Sequence, residues 1–293
     1  MTTLSPYPAV IIKKPQKTAV PIVVSSPHSG EKYFPDFLET TRLSLRELQQ
    51  TEDRFVDRLF ERAPEMGGTL LTTEFPRVWC DVNRDCRELD SGMFRPTLLN
   101  EGLLRSAKVR AGFGVIPRCA SQSRAIYTHC LPAEEVHRRL QLGWLPYHEA
   151  LNQLLEGLRQ RFGVVILLEA HSMPRLPQAR ACDMVIGDVH GKSCSPDLTE
   201  AVERYLLQLG YEVRRNVPYA GGYITSHYGH PAEGIHAFQL EICRSRYLNA
   251  ATLQPSRGFQ QVQNDMSGLL ETLACFAEER LYSAISSQVS SLS

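Results

Sequence analysis

The sequence lacks nearly every feature that would mark a special environment. Its 293 residues hold no apolar run near the roughly 18 to 20 residues needed to cross a bilayer, and no charged N-terminal segment leads into an apolar core of the kind that directs export. A cytoplasmic chain is expected. Lys plus Arg equals Asp plus Glu, 32 against 32, so no global field draws the chain to nucleic acid or to an anionic membrane. The eight cysteines are scattered without a CxxC pair, and they read as reduced thiols packed as small hydrophobes. There is no internal repeat and no domain linker. Gly187-Asp188-Val189-His190-Gly191 lacks the spacing of a dinucleotide or P-loop fingerprint, so no phosphate cofactor is indicated.

What is present is an ordinary globular composition, 43% hydrophobic and 22% charged, on a chain long enough to bury a sizeable core. The run Val20 to Ser25 reads as a strand. Ser44-Leu45-Arg46-Glu47 is a capping box, and Leu45, Leu48, Phe55, Val56, Leu59 and Phe60 at helical spacing predict a helix ended by Pro64 and Gly67-Gly68. Thr69 to Thr73 and Arg77 to Val82 read as strands, and the Gly-, Pro-, Arg- and Ser-rich stretch Asp85 to Tyr127 as long loops over the sheet. Pro132 to Phe162 is predicted as helix, interrupted near Gly143 and Pro146. Strands follow at Val164 to Leu168, Met184 to Ile186, Tyr211 to Arg214 on an edge and His236 to Ile242 in the core, with helices at Pro196 to Leu209 and Thr252 to Tyr282. The alternation predicts one α/β domain over residues 1–293, with a mixed, mostly parallel sheet and helices on both faces. Residues 1–18 form a surface lead-in, where Ala9 to Ile12 adds a short strand, and 252–293 a C-terminal helix and tail.

Chemically capable residues cluster where hydrophobic runs stop. In an open α/β sheet ligands sit at the carboxyl ends of strands, so polar clusters at several such ends are parts of one site. One run enters Ser25-Ser26-Pro27-His28-Ser29-Gly30, and another enters Glu169-Ala170-His171-Ser172-Met173-Pro174. The strand period of two puts Val165, Leu167, Glu169 and His171 on one face, so Glu169 and His171 arrive together. A lone buried histidine is most simply satisfied by a backbone carbonyl. Two of them at equivalent strand ends, with one carboxylate and a position left for water, are the protein complement of a catalytic zinc.

Three acids compete to complete that set: Glu31, three residues after His28, and Glu52 and Asp53 on the flanks of the capped helix. Glu241, within Phe238-Gln239-Leu240-Glu241-Ile242, is a charge in a core strand, costly unless it faces a polar site or pairs with Arg244 or Arg246. Beside a metal it would act as general base. Asn83 and Arg84, following Val78 to Val82, offer an amide and a planar guanidinium fork to a substrate carboxylate. The glycine-bracketed loop from Gly221 to Gly229 presents Tyr223 and His227 for substrate contact. Cobalt, manganese or iron would accept the same donors as zinc. No cysteine stands at a strand-to-helix elbow, which argues against a cysteine hydrolase.

Taken in order, Ser-Pro-His-Ser-Gly at 26–30, Glu-Asp-Arg-Phe-Val-Asp-Arg-Leu-Phe at 52–60, Asp-Val-Asn-Arg at 81–84, Glu-Ala-His-Ser-Met-Pro at 169–174, Gly-Gly-Tyr-Ile-Thr-Ser-His-Tyr-Gly at 221–229 and Leu-Glu-Ile at 240–242 resemble the N-formylglutamate amidohydrolase family over residues 20–250. That resemblance implies a phosphorylase/hydrolase-like fold related to zinc carboxypeptidases and aspartoacylases. It implies hydrolysis of N-formyl-L-glutamate to formate and glutamate, the last step of one histidine-degradation route. By motif, His28, Asp53 and His171 take the roles of ligands to one zinc per chain, and Glu241 that of general acid and base. Glu169 is placed to orient a ligand imidazole. Asn83 and Arg84 would grip a substrate carboxylate, while Tyr223 and His227 would line the acyl side. Two rival readings remain, a related metal-dependent amidohydrolase or carboxypeptidase for another N-acyl amino acid or short peptide, and a non-catalytic ligand-binding protein on the same fold.

Overall fold

The computed structural model describes residues 10–120, 124–177 and 181–290, with side chains described through residue 279. The start of the expected lead-in, including Ala9, and the last three residues of the expected tail lie outside the described residues. Along the chain run β1 (Val10–Lys13), β2 (Ile22–Ser26), α1 (Pro35–Thr40), α2 (Leu45–Gln49), α3 (Val56–Leu59), β3 (Thr69–Thr73), β4 (Phe94–Arg95), α4 (Ala107–Arg110), β5 (Leu131–Pro132) and α5 (Glu134–Arg139). Then come α6 (Leu145–Phe162), β6 (Val165–Met173), β7 (Met184–Gly187), α7 (Pro196–Gln208), β8 (Val213–Arg215), α8 (Tyr223–Tyr228), β9 (Ile235–Cys243), β10 (Leu248–Asn249), β11 (Gln254–Pro255) and α9 (Phe259–Ser290). None of the described helices is long and apolar enough to cross a membrane. Contacts group the chain into two compact units: Pro27–Arg54 with Thr72–Leu151, and Ile12–Ser26 with Phe55–Leu71 and the chain from Asn152 onward.

A seven-stranded sheet dominates the second unit, in the order β1-β3-β2-β6-β9-β7-β8. The pairs β2–β6, β6–β9 and β7–β8 are parallel and β7–β9 is antiparallel, the mixed, mostly parallel sheet that the element order predicts. Alternation along each strand sorts its residues. Ile22, Val24, Ile166, Leu168, Ala170, Met184, Ile186, Phe238, Leu240 and Ile242 join Val56 and Leu59 of α3, Leu198, Val202 and Leu206 of α7, and Met266, Leu269 and Leu273 of α9 in one buried core. Each large aliphatic side chain enclosed there stabilises the fold by roughly 1.5–3 kcal/mol. The residues between them, Glu169, His171, Gln239 and Glu241, point to the opposite face, where α8 reaches Glu169 through Thr225. Helices therefore cover both faces.

Two boundaries in this unit differ from expectation. The strand predicted to stop at Leu168 continues to Met173, because β9 pairs with it residue by residue from Val165↔Ile235 to Met173↔Cys243. Glu169 and His171 thus lie inside a strand and not beyond its end. The last helix begins at Phe259 and not near Thr252, since Leu248–Asn249 and Gln254–Pro255 first close an antiparallel ladder and Pro255 cannot supply a helical amide.

Irregular backbone dominates the first unit. The capping box forms as predicted, with Ser44 N donating to Glu47 Oε2 at 2.7 Å and Glu47 N to Ser44 Oγ at 3.4 Å. The helix it starts ends at Gln49, however, and does not run on to Phe60. Thr51 Oγ1 closes onto Leu48 O at 2.6 Å, and Asp53 N leaves the helical ladder for His28 O at 3.0 Å. Phe55 follows at φ 62°, left-handed backbone that no α-helix continues through.

The strand expected at Arg77 to Val82 is a turn. Trp79 N bonds Pro76 O at 2.9 Å, and Val78, Trp79, Cys80 and Val82 are all buried without alternation. Trp79 packs between Phe34 and Phe75, with ring centroids at 4.7 and 5.1 Å. Arg139, only 1% exposed, gives Nη1 to Trp79 O at 3.1 Å and to Tyr127 Oη at 2.7 Å, and its Nε to Glu135 at 2.8 Å. The interruption predicted near Gly143 takes the form of a π-helical stretch, Leu140–Trp144, that joins α5 to α6 without a break. A Cβ on Gly143 would lie 2.9 Å from the Trp79 ring and 3.0 Å from Phe75, so only glycine lets the backbone come this close.

Candidate functional site

His28 stands two residues past the end of β2, and its ring is held on both sides. Nε2 lies 2.8 Å from Asp81 Oδ1 and Nδ1 lies 3.4 Å from Asp53 Oδ2, with all three side chains about 98% or more enclosed. An ionised carboxylate can only accept, so the hydrogen bond to Asp81 puts a ring proton on Nε2, and Nδ1 faces Asp53. Asp81 is fixed in turn. Arg77 Nη2 donates to its other oxygen at 2.7 Å, and Asn83 N to Oδ1 at 3.0 Å. Burial alone would raise the Asp81 carboxyl, yet Arg77, His28 and Arg84 together hold it well below the usual carboxylate range.

The break between α2 and α3 brings Asp53 to His28. Asp53 N donates to His28 O, and Ser29 Oγ donates to Asp53 O at 3.0 Å, so both backbone groups of Asp53 hold the Ser-Pro-His-Ser-Gly loop. In that loop Gly30 lies against Phe75, where a Cβ would come 2.1 Å from the carbonyl oxygen. The two competing acids go elsewhere. Glu52 takes hydrogen bonds from Tyr33 and, at 2.6 Å, from Arg54, and burial pushes its carboxyl up to about 7 against their pull. Glu31 is half exposed and reaches Arg54 at 3.5 Å.

On the sheet, His171 Nε2 lies 2.6 Å from Glu169 Oε1. The other Glu169 oxygen accepts from Thr225 N at 3.1 Å and from the Thr225 hydroxyl. The same argument from a pure acceptor protonates His171 at Nε2 and leaves Nδ1 as its donor atom. Ladder register does the rest of the positioning. Ser25 pairs with Glu169, Glu169 with Gln239 and His171 with Glu241, so the two functional strands place His171 and Glu241 side by side on one face. Gln239 Nε2 donates to Glu241 Oε1 at 2.9 Å and fixes that carboxylate. Arg246, one of the two arginines expected as alternative partners of Glu241, binds Asp183.

His28, Asp53 and His171 each offer one ligand atom, and these atoms all lie within 4.8 Å of one another. Ligand atoms at about 2 Å from a shared zinc are themselves roughly 3.3 Å apart in a tetrahedron. The His28–Asp53 separation of 3.4 Å already matches that edge. Two imidazoles and one carboxylate, all buried, with each imidazole backed by a carboxylate, are a donor set that fits a divalent metal.

The remaining candidates are more dispersed. Asn83 and Arg84 sit in the turn after Asp81, not at a strand end; Arg84 Nε and Nη1 bind the carbonyls of Phe113 and Asn83, both at 3.0 Å, and Trp144 Nε1 caps Arg84 O at 2.8 Å. The predicted glycine-bracketed loop contains α8, where Tyr223 and His227 stack with centroids 4.9 Å apart and planes within 12°. Thr225 lies between them in sequence and turns to Glu169 instead. Sequence reasoning gave no role to Asp81, Thr225 or Gln239. Of these, Gln239 carried a signal, since the period of two that joins Glu169 to His171 equally joins Gln239 to Glu241.

A buried His-Asp-His cluster that could hold a metal ion, with Glu169 on the strand of His171 and Glu241 beside His171 on β9, is a candidate hydrolytic site. The chain belongs to the N-formylglutamate amidohydrolase family, whose model matches residues 20–248. It is 29% identical over 272 residues to the N-formylglutamate deformylase of Pseudomonas putida and 30% identical over the same length to that of Pseudomonas aeruginosa, covering 89% of this chain and 95% of each relative. The crystal structure of N-formylglutamate amidohydrolase from Ralstonia eutropha JMP134 superposes with a TM-score of 0.88 at 36% identity, over 93% of this chain and 99% of that one.

Proposed function

We propose that the protein hydrolyses the amide of N-formyl-L-glutamate to formate and L-glutamate, with zinc held by His28, Asp53 and His171. The observation that carries this reading is the three-residue donor cluster beside Glu241, on a chain whose relatives named above bear that activity in their names. A cytoplasmic setting in histidine breakdown belongs to the same reading.

Bound zinc would supply a Lewis acid for the amide carbonyl and make water nucleophilic near neutral pH. The chain's own groups do the rest. Asp81 and Glu169 hold the two imidazoles in the tautomer that presents Nδ1, which removes a reorganisation step from metal capture. Glu241, oriented by Gln239, accepts a proton from the attacking water and delivers it to the departing amine. Asn83 and Arg84 hold a carboxylate of the substrate, turning binding energy into orientation of the scissile bond. The stacked rings of Tyr223 and His227 line the acyl side.

Formate release from N-formyl-L-glutamate by the zinc-loaded protein tests the reading. Glu241→Gln should lower kcat by about 10²–10⁴-fold with zinc content unchanged. Turnover of acetylated or peptidyl substrates without any of the formyl substrate would replace it with the related amidohydrolase reading.

A further inference from the structure

Three cations, Arg77, Arg84 and Lys108, feel the charge of Asp81. Arg77 is paired with Asp81, which His28 already shares. Among the described residues Arg84 makes no ion pair, and its guanidinium donates to the neutral carbonyls of Phe113 and Asn83, which fix its position. Lys108, on α4, is tied to the same loop: Phe113, which accepts from Arg84, gives its own N–H to Lys108 O at 2.8 Å. Ser106 caps that short helix through Val109 N at 3.2 Å, fixing where Lys108 leaves the backbone.

The Lys108 side chain is accessible to solvent, and among the described residues its ammonium makes no ion pair. Partial burial, then the charges of Arg84 and Arg77, push it below the ordinary lysine range, against Asp81 and Glu88 pulling it up. A cation kept within reach of two guanidinium groups, with no carboxylate of its own, pays a repulsion that an incoming anion relieves. The proposed substrate carries two carboxylates, and the Asn83–Arg84 pair accounts for one.

We propose that Lys108 binds the side-chain carboxylate of the substrate and so sets the preference for an acidic over a neutral N-acyl amino acid. This rests on the function proposed above. A site that supplies a charged partner to a substrate group rejects the analogue lacking that group, because the partner is then left unpaired.

The test compares N-formyl-L-glutamate with N-formyl-L-glutamine on zinc-loaded wild type, Lys108→Met and Lys108→Arg. For Lys108→Met, kcat/KM on the glutamate substrate should fall about 10–100-fold, the value of one charged hydrogen bond, mainly through KM. On the glutamine substrate it should change less than about threefold, and Lys108→Arg should retain most of the preference. An equal fall on both substrates, or no fall on either, overturns the proposal. Absence of turnover by wild type would count against the parent reading alone. Calorimetric binding of L-glutamate against L-glutamine to wild type and Lys108→Met then decides for Lys108, which stands only if the variant loses the glutamate preference.

Discussion

The surroundings of the two site imidazoles are built in opposite ways. His171 is held by a strand neighbour two residues away, on a ladder that fixes Glu169, Gln239 and Glu241 in the same stroke. His28 is held by Asp53 and Asp81, from segments 25 and 53 residues along the chain, each in irregular backbone anchored by hydrogen bonds of its own. Strand geometry gives His171 its placement as a by-product of the sheet. The His28 pocket instead depends on several separate loop contacts, and it should be the easier of the two to spoil.

The largest expected effect attacks that weakness. Gly30→Ala forces a methyl to within 2.1 Å of the Phe75 carbonyl, and the loop must move. A loss of about 3 kcal/mol in chemical denaturation, with lost zinc, is expected. Full stability in this variant would show that the loop tolerates movement and would erase the contrast.

Next come the carboxylates behind the rings. Asp81→Asn and Glu169→Gln should each weaken zinc by about 10–100-fold in competition with a chelator. Asp81→Asn should be the more harmful, since it also strips Arg77 of its partner. A larger effect at Glu169 would reverse the ranking of the two pockets.

The smallest effect lies away from both rings. Tyr205 of α7 donates its hydroxyl to Asp265 O of α9 at 2.7 Å, and burial, then Asp265 and Glu271, raise it from the ordinary 10.0 to about 12. Below pH 10 the phenol is protonated in both folded and unfolded chains, so its contribution is whole. Between pH 10 and 12 the unfolded chain sheds the proton first, and stability falls as pH rises. Tyr205→Phe should flatten that alkaline decline in thermal unfolding while leaving zinc affinity unchanged.

The same contrast explains what could be read from the sequence. Glu169 and His171 follow from a period of two, and the strand-helix alternation was enough for a mixed, mostly parallel sheet. The short elements around His28 follow from no period. Apolar residues at helical spacing ran across 45–60, but Asp53 N is drawn to His28 O, a partner 25 residues back that no local window contains. Val78 to Val82 looked like a strand because its residues are buried, yet the burial comes from Trp79 wedged between aromatic rings in a turn. Asp81 went without a role for that reason. Its function depends on His28, and nothing in the spacing of Asp-Val-Asn-Arg points there.

The five residues of the π-helical stretch also act as a phase adjuster. An α-helix advances about 100° per residue. Winding all five residues of this stretch as ordinary α-helix, at that advance, would swing everything downstream around the axis. Tyr147, His148 and Leu151, all buried, would then turn away from the surfaces they now meet, even though no single side chain had been altered. Here the number of residues per turn matters as much as their identity, because the wide turn holds one residue more than an α-helical turn while keeping the faces that the flanking helices present.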